Sequence, residues 1–426
     1  MREFKKTTKL CNVGYDIRGP VAEEASRMMA QGIPIIPLNT GNPAAFGLYA
    51  PDFVEEAMRR AVRAGEAYSD SIGIAEAREA VADYCRTKGM RGVTAADVFT
   101  GNGVSELISI ALQALLDNGD EILIPAPDYP LWTGTATLCG GRVVHYLCDE
   151  QSEWQPDLAD IEAKITPKTK AIVLINPNNP TGALYPGETL ARIVKLAYEH
   201  ELIVFSDEIY DRLVMEGEAH VSTASVDGAD DIFVVTLNGL SKSHMVAGFR
   251  CAWLTFSGRK DLAADYIEGV RMLASMRMCA NVPAQLVIPA ALKHPYSAAP
   301  LLRPGGRVWE QKECIYRAIA GIPGLSAVKP KAAFYIFPKI DVKRFDIVDD
   351  ERFVLDFLHE HHVLMTHGRG FNYPEPDHFR IVYLPEVPEL SVIAERMRAF
   401  LSGYSQEGGG RAAFPGSNGG DADLGA

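Results

Sequence analysis

The sequence lacks the features of an exported, membrane-spanning or nucleic-acid-binding protein. No apolar run in its 426 residues is long enough to cross a bilayer, and the basic N-terminus has no apolar segment of the signal-peptide kind. The formal net charge of -13 disfavours binding to nucleic acids or to anionic membranes. We therefore expect a cytoplasmic protein that binds any anionic ligand through local cations.

Cysteine is also scarce, and its spacing argues against two further kinds of site. The seven cysteines are scattered, odd in number and never spaced as C-x-x-C, which disfavours a disulfide framework and a zinc site. The histidine-rich stretch at 359–362 lacks the i, i+4 histidines of a zinc-binding helix, so we interpret it as a solvated helix end. We predict no metal site.

What the chain does contain is an alternation of apolar, β-branched runs with helical segments between residues 95 and 256. The runs occupy residues 121–127, 170–177, 201–209 and 232–240. One intervening segment, 188–200, places four apolar residues on a single helical face: Leu190, Ile193, Val194 and Ala197. This alternation predicts βαβ units, a mainly parallel central sheet and an α/β fold class.

The pattern changes to a smaller α/β unit after about residue 304. We predict an N-terminal arm with part of the small domain at 1–45, a large domain at 46–304, a small C-terminal domain at 305–404 and a disordered tail at 405–426. The tail is rich in glycine and small polar residues, which bury too little apolar surface to order a chain. A cleft between the two domains is the expected site.

Each strand of the central block is followed by polar or glycine-rich residues. These are GNGVS at 101–105, PDYP at 127–130, NPNNPTG at 176–182, DEIY at 207–210 and SK at 241–242. Ligands bind at the carboxyl ends of strands in open α/β sheets, so we expect one ligand to be lined by all five. Lys242 and Arg250, eight residues apart, supply two cations at that edge.

The motifs NPNNPTG, SDEIY and GLSK followed by GFR resemble those of the fold-type-I pyridoxal-phosphate aminotransferases. The segments YDIRGP, LNTGNPAAFG, GNGVSEL, PAPDYPLW and NVPAQ are similar to those of the bacterial alanine aminotransferase group, and the resemblance covers about residues 8–404. It implies pyridoxal 5'-phosphate as cofactor and ping-pong transfer from L-alanine to 2-oxoglutarate, giving pyruvate and L-glutamate.

The chemistry of the two cations agrees with this resemblance. A lysine in a partly desolvated cleft beside another cation has a lowered pKa, so Lys242 can bind an aldehyde and move a proton. The planar fork of Arg250 matches a phosphate. The backbone N–H groups of Gly103 and Val104 begin a helix and form an anion site. An ordinary solvated lysine and an ordinary capped turn are the alternatives.

The resemblance also implies roles for residues around the cofactor ring. Asp207 would keep the pyridine nitrogen protonated, although aspartate also commonly caps a helix. Tyr210 and Asn179 would bond the phenolic oxygen, and Tyr129 would stack on the ring. Tyr68 would enter from the neighbouring subunit, which implies a homodimer.

One position departs from the family pattern. Many relatives carry a serine three residues before the lysine, where this chain has Gly239. We expect Ser241 or Asn238 to replace that donor, or the donor to be lost.

Substrate contacts follow from the resemblance as well. Arg380, on the strand-like segment HFRIVYL, would bind the substrate α-carboxylate together with Asn179 and the backbone of Gly41. Tyr15 and Arg18 of YDIRGP are further candidates. Arg18 is our hypothesis for the distal carboxylate of glutamate, as a mobile arginine that folds away for alanine.

Other activities use the same cofactor or the same fold. Broader, aromatic or branched-chain specificity and C–S bond cleavage remain alternatives, because the cofactor supports several fates for one carbanion. A sensory module that regulates DNA would need a helix-turn-helix domain and a basic patch, and the sequence shows neither.

Overall fold

The structure is a computed structural model that describes residues 3–406. Its helices are α1 (Pro20–Ala30), α2 (Asp52–Ala64), α3 (Ala75–Thr87), α4 (Val104–Leu115), α5 (Leu131–Leu138), α6 (Leu158–Lys164), α7 (Gly187–Glu199), α8 (Leu240–Ser243), α9 (Ala264–Met276), α10 (Val282–Lys293), α11 (Arg307–Ala320), α12 (Asp350–His361) and α13 (Val387–Leu401).

The strands follow the same numbering in chain order. They are β1 (Ile36–Pro37), β2 (Val98–Asn102), β3 (Glu121–Ala126), β4 (Arg142–Asp149), β5 (Gln155–Pro156), β6 (Thr169–Ile175), β7 (Ile203–Asp207), β8 (Phe233–Gly239), β9 (Cys251–Gly258), β10 (Leu325–Ser326), β11 (Tyr335–Ile336), β12 (Lys339–Ile340), β13 (Val363–Leu364), β14 (Thr366–His367) and β15 (Phe379–Val382).

A large sheet with the order β2-β9-β8-β7-β6-β3-β4-β5 forms the centre of the molecule. The strands β3, β4, β6, β7 and β8 pair in parallel, whereas β9 and β5 run antiparallel to their neighbours. The predicted α/β fold with a mainly parallel sheet is therefore confirmed. The carboxyl ends of β3, β6, β7 and β8 consequently meet at one edge of this sheet.

Burial explains why the sequence runs in the centre are continuously apolar. Every residue of β8 is buried, as are all but the first of β7 and all but Lys170 of β6, because helices cover both faces of the sheet. The four apolar residues assigned to one face of α7 are all buried. Periodicity thus located both the strands and the side on which this helix packs.

A second core is built from both chain ends. Val21, Ala25 and Leu38 pack with residues from α11, α12 and α13, and β1 pairs in parallel with β13. These contacts support our proposed division of the chain near residues 45 and 304, with the N-terminal arm joining the small domain.

The boundary proposed for the tail needs a correction at its first residues. Gln406 is buried, its amide oxygen accepts from the Val348 and Asp349 amides at 2.7 and 2.8 Å, and its nitrogen donates to the Asp349 carbonyl at 2.7 Å. The ordered chain therefore extends past residue 405. The remainder of the predicted tail, 407–426, lies outside the described residues.

Residues 3–406 contain neither a helix that could span a bilayer nor a cluster of metal-binding side chains. None of its helices combines the length and hydropathy that a bilayer span requires. Within the same range, no group of three or more histidine, cysteine, aspartate or glutamate side chains is arranged to hold a metal ion.

Candidate active site

Lys242 lies on the one-turn helix α8, directly after the buried strand β8. Its ammonium donates to the carbonyl of Gly41 at 2.6 Å. Burial, together with the nearby Arg380 and Arg250 guanidinium groups, lowers the pKa of Lys242 to about 8. A larger fraction of Lys242 is therefore uncharged near neutral pH than of an exposed lysine. The side chain is suited to nucleophilic and proton-transfer chemistry.

Asp207 ends the neighbouring strand β7 and is almost completely buried. One carboxylate oxygen accepts from the indole nitrogen of Trp132 at 3.2 Å, and the other accepts from the backbone of Ile209 at 3.3 Å. No Lys, Arg or His of the described chain lies within ion-pair distance. Burial raises the pKa of Asp207 to about 6. A cationic ligand at this carboxylate would lower that pKa and stabilise the charge.

Two tyrosines meet beside these groups. The hydroxyls of Tyr210 and Tyr335 lie 2.5 Å apart, and burial raises the pKa of both phenols. Gly41 lies against the same pair, because a Cβ at this position would stand only 2.3 Å from the Tyr335 hydroxyl oxygen. Only glycine fits here, which explains why the chain approaches Lys242 through its backbone carbonyl.

Arg380, on β15, is 1 % exposed. Its guanidinium donates to Asn179 Oδ1 at 2.9 Å and to the carbonyl of Asn39. Both acceptors are neutral, and Nε has no partner. Ring centroids of Tyr335 and Phe371 lie 4.7 and 4.5 Å from its Cζ. Burial lowers the pKa of this arginine. In the part of the chain that is described, no carboxylate pairs with it, so the site is prepared for an anionic ligand.

Arg250 and Gly103 form a second cationic corner at the N-terminus of α4. A Cβ on Gly103 would stand 1.7 Å from Nη2 of Arg250, so the guanidinium lies directly against this glycine. Gly103 has a φ of 83°, a conformation that favours glycine. The corner thus combines an arginine with the start of a helix, an arrangement suited to phosphate.

The predicted donor at Gly103 needs a correction. Its N–H already donates to the carbonyls of Gly101 at 2.9 Å and Arg250 at 3.0 Å. The next two amides, those of Val104 and Ser105, have no acceptor among residues 3–406. Val104 therefore keeps the proposed role, and Ser105 joins it in place of Gly103.

The sequence matches a known protein family over most of its length. The model of the family described as "Aminotransferase class I and II" matches residues 33–396. The chain belongs to the class I and II aminotransferases.

Individual relatives and solved structures agree with this assignment. The aminotransferase is 52 % identical over 406 residues to the glutamate-pyruvate aminotransferase AlaA of Escherichia coli (strain K12), covering 95 % of this chain and 100 % of that protein. It superimposes on a crystal structure of an aminotransferase from Escherichia coli with a TM-score of 0.93 at 52 % identity, covering 95 % and 100 % of the two chains. An alanine aminotransferase from Pyrococcus furiosus matches with a TM-score of 0.86 at 39 % identity, covering 93 % and 100 %.

The structure favours Ser241 over Asn238 as the substitute for the missing serine, and loss of the donor stays the other alternative. The side chain of Asn238 is occupied, because it donates to Asp211 at 2.8 Å and accepts from the Gly239 amide at 2.6 Å. A Cβ at Gly239 would stand 2.6 Å from the carbonyl oxygen of Cys251, so this backbone does not accommodate serine there. Ser241 is buried and remains the candidate donor of the aminotransferase.

Of the remaining predicted residues, two are partly buried and two are exposed. Tyr129 and Tyr15 meet through their hydroxyls at 2.9 Å and pack edge to face with ring centroids 6.4 Å apart. Arg18 is exposed, and none of the hydrogen bonds or ion pairs found between residues 3 and 406 involves its side chain. Tyr68 is 80 % exposed in the single chain, so it does not take part in the site around Lys242 of its own subunit.

Four residues of the site were not found from the sequence: Trp132, Tyr335, Phe371 and Asn39. Each contacts Asp207, Tyr210 or Arg380 across at least 9 positions of chain, and none stands in a motif that announces a role. Trp132 lies in PAPDYPLW and Asn39 lies in LNTGNPAAFG, and these two segments, which carried the resemblance, were the available signals.

Proposed function

We propose that this aminotransferase uses pyridoxal 5'-phosphate and transfers the amino group of L-alanine to 2-oxoglutarate. The observation that carries the proposal is the buried guanidinium of Arg380, which faces neutral acceptors only and lies close enough to Lys242 to lower its pKa. A carboxylate held there would sit beside the amine that performs the chemistry. The names of the E. coli and Pyrococcus furiosus relatives support alanine and glutamate as substrates.

The residues present fit the proposed cofactor at three points. Lys242 supplies an amine of lowered pKa for the aldehyde carbon. Asp207 is a buried carboxylate that lacks a countercharge and suits a protonated pyridine nitrogen. The corner of Arg250 and the first α4 amides suits the phosphate, since it offers both a fork of donors and a helix N-terminus. When bound, pyridoxal phosphate supplies an electron sink for the bonds at the substrate Cα.

The proton steps fall to Lys242 in this proposal. With a pKa of about 8, its amine removes the proton from the substrate Cα and returns a proton in the opposite half of the cycle. Its present partner, the Gly41 carbonyl, accepts from the ammonium at 2.6 Å and therefore orients Nζ. Tyr210 and Tyr335 form a hydroxyl pair that can donate one hydrogen bond to the phenolic oxygen of the cofactor, where we also place Asn179.

Arg380 orients the substrate. Its guanidinium is held by Asn179 and Asn39 and enclosed by two aromatic rings, so its fork keeps one direction when the α-carboxylate arrives. Enclosure also excludes water, which strengthens the attraction between the two charges. We propose Gly41 and Tyr15 as the neighbouring contacts, and Tyr129 as the ring that stacks on the cofactor.

The exposed Arg18 is proposed to bind the distal carboxylate of glutamate by folding inward with the N-terminal arm. Replacing it with alanine would then slow the glutamate half-reaction and leave the alanine half-reaction unchanged. Equal losses in both half-reactions would refute this role.

Assembly and location complete the proposal. A homodimer would bury the exposed Tyr68 and bring it to the phosphate of the neighbouring site. A cytoplasmic location is supported by the seven cysteines, all of which are free thiols.

The decisive experiment follows the visible absorbance of the purified protein before and after addition of L-alanine alone, with pyruvate assayed in the same tube. We expect the yellow absorbance to disappear as pyruvate forms in proportion to the bound cofactor. If only aspartate, aromatic or branched-chain amino acids bleach the protein, the alanine assignment is wrong. Ammonia release with a cysteine-type substrate would instead indicate C–S cleavage. A protein that stays colourless with added pyridoxal phosphate would refute the cofactor assignment.

A further inference from the structure

A second buried carboxylate, Asp128, follows strand β3 at the same edge of the sheet and has no role in the chemistry above. It is 0 % exposed. One of its oxygens accepts from the side-chain amide of Asn372 at 2.7 Å, and the other accepts from the Thr133 hydroxyl at 2.6 Å. No cation of the described chain pairs with this carboxylate. Neutral donors, including the Thr133 backbone, therefore stabilise the carboxylate, and loss of the Asn372 amide would remove its side-chain donor to one buried oxygen.

The backbone of Asp128 is tied to the same segment as its side chain. The Asp128 amide donates to the carbonyl of Phe371 at 2.9 Å, one residue before Asn372. Asn372 has a φ of 56°, a left-handed conformation that asparagine adopts more readily than most residues. Two consecutive residues are thus fixed by one aspartate, through its main chain and its side chain. We call this pair of contacts the Asp128–Asn372 clasp.

Phe371 connects the clasp to the substrate site. Its ring is fully buried, and its centroid lies 4.5 Å from Cζ of Arg380. Tyr335 provides the other ring at 4.7 Å, but it is held by Tyr210 and not by the clasp. A shift of Phe371 would therefore weaken one aromatic contact of the Arg380 guanidinium. The guanidinium could then rotate, and its hydrogen bonds would point in other directions.

We propose that Asp128 is a positioning residue, which acts through Asn372 and Phe371 to hold the guanidinium of Arg380 in the direction that binds the substrate carboxylate. The inference rests on the proposed function, in that Arg380 is taken as the carboxylate site. It adds to that function a route by which the end of β3 controls substrate affinity without touching the substrate.

An alternative role for the clasp is simple attachment of the segment Arg369–Phe371 to the large sheet. The chain offers a matched control for that role. Lys339, on β12, bonds Glu150 at 2.9 Å and Asp377 at 3.3 Å, and thereby joins the C-terminal part of the chain to the end of β4 without a hydrogen bond or ion pair to Phe371 or Arg380. Lys339→Ala removes an attachment, whereas a change in the clasp also disturbs the guanidinium.

The test uses the protein loaded with pyridoxal phosphate and four variants. Asn372→Asp sets two carboxylates against each other, and Asp128→Asn/Asn372→Asp restores a donor and an acceptor with their positions exchanged. Asn372→Gly removes the donor while keeping a residue that tolerates the left-handed backbone, so it serves if Asn372→Asp does not fold. Lys339→Ala is the control. Burial raises the pKa of Asp128 to about 7, so work near pH 8.5 keeps its carboxyl ionised.

Two readings are taken on each variant: kcat and KM for L-alanine, and the Kd of propionate by calorimetry. Propionate is alanine without its amino group, so it reports on the carboxylate site independently of turnover. We expect Asn372→Asp and Asn372→Gly to raise both KM and Kd about tenfold, because the Arg380 side chain must then be immobilised when the carboxylate binds, with kcat nearly unchanged. The exchanged double variant should return both constants to within about twofold of the wild type.

The outcomes separate the two proposals. Unchanged KM and Kd in Asn372→Asp and Asn372→Gly would overturn the positioning role, and so would an equal rise in Lys339→Ala. A double variant that regains thermal stability but not propionate affinity would also overturn it. Failure of the wild type to convert alanine would instead refute the proposed function. The Kd values of propionate would still test the positioning role of the clasp.

Discussion

Two adjacent acidic residues at the end of β7 experience opposite environments. Asp207 meets only Trp132 and one backbone amide, and burial raises its pKa to about 6. Glu208 points to the other side, where Lys88 donates to it at 2.7 Å and Ser222 at 2.8 Å. Burial alone would raise the pKa of Glu208, but the Lys88 ammonium holds it below its usual value.

The cations divide in the same way. Lys88 bonds Glu208 and also Asp211 at 2.8 Å, and these two carboxylates raise its pKa although burial acts against them. Lys242 and Arg380 have no carboxylate partner among residues 3–406, and burial lowers the pKa of both. The side with balanced charges maintains the fold. The side with unbalanced charges is prepared for a ligand that supplies the missing partners.

The largest expected effect of this difference in charge balance is on protein stability. Lys88→Met would leave Glu208 and Asp211 buried without their cation, which is expected to lower the free energy of unfolding by about 3–5 kcal/mol. Arg380→Met removes a buried cation that has no carboxylate partner. Removing the desolvation cost of the guanidinium offsets the loss of its hydrogen bonds to two acceptors. The free energy of unfolding should therefore change by no more than about 1 kcal/mol.

Urea unfolding of both variants without cofactor measures this difference, since the linear dependence on urea gives the free energy in water. Similar losses in the two variants would mean that the two sides of β7 are energetically equivalent. The comparison would then be wrong.

The second prediction concerns activity and uses the two acids themselves. Asp207→Ala should lower kcat/KM for alanine about 100- to 1,000-fold, the effect expected when a preorganised charge at a reacting group is removed. Glu208→Gln keeps the size of its side chain and lies away from the ligand. It should destabilise the protein while kcat/KM stays within about fivefold of the wild type. Steady-state kinetics at saturating pyridoxal phosphate distinguish these outcomes, and a large kinetic loss in Glu208→Gln would contradict the division of roles.

The sequence predicted the parts of this arrangement that depend on local pattern. Apolar runs located β3, β6, β7 and β8, and their ends located Asp207 and Lys242. The resemblance to a known family then added Arg380 and Asn179, which no periodicity could have assigned. Because parallel strands end at one edge, residues far apart in sequence could be grouped before any contact was known.

The parts that were missed depend on contacts between distant side chains. Tyr335 stands in an ordinary apolar segment and Phe371 in a glycine-containing turn, and their role arises only because they enclose Arg380. The balance of charge around Glu208 was also invisible, since Lys88 lies 120 positions earlier in the chain. The occupied amide of Gly103 depends on a loop conformation that brings the Arg250 carbonyl to it. Motifs thus located the chemistry, whereas packing determined which groups remain free.

The smallest expected effect is the part of the pH dependence of stability that Asp207 contributes. Its pKa is about 6 in the folded protein and near 3.8 when unfolded, so the folded state binds more protons between these values. The contribution of this group to stability is therefore fully present below about pH 4 and is lost as the pH rises through 6, by about 3 kcal/mol. Asp207→Asn should flatten that part of the profile in the cofactor-free protein, whereas Glu208→Gln should leave it in place, because the lowered pKa of Glu208 acts at more acidic pH. Urea unfolding across pH 4–7 provides the measurement. A profile that stays equally steep in Asp207→Asn would show that this carboxylate already has a countercharge, and the unbalanced side of β7 would need another explanation.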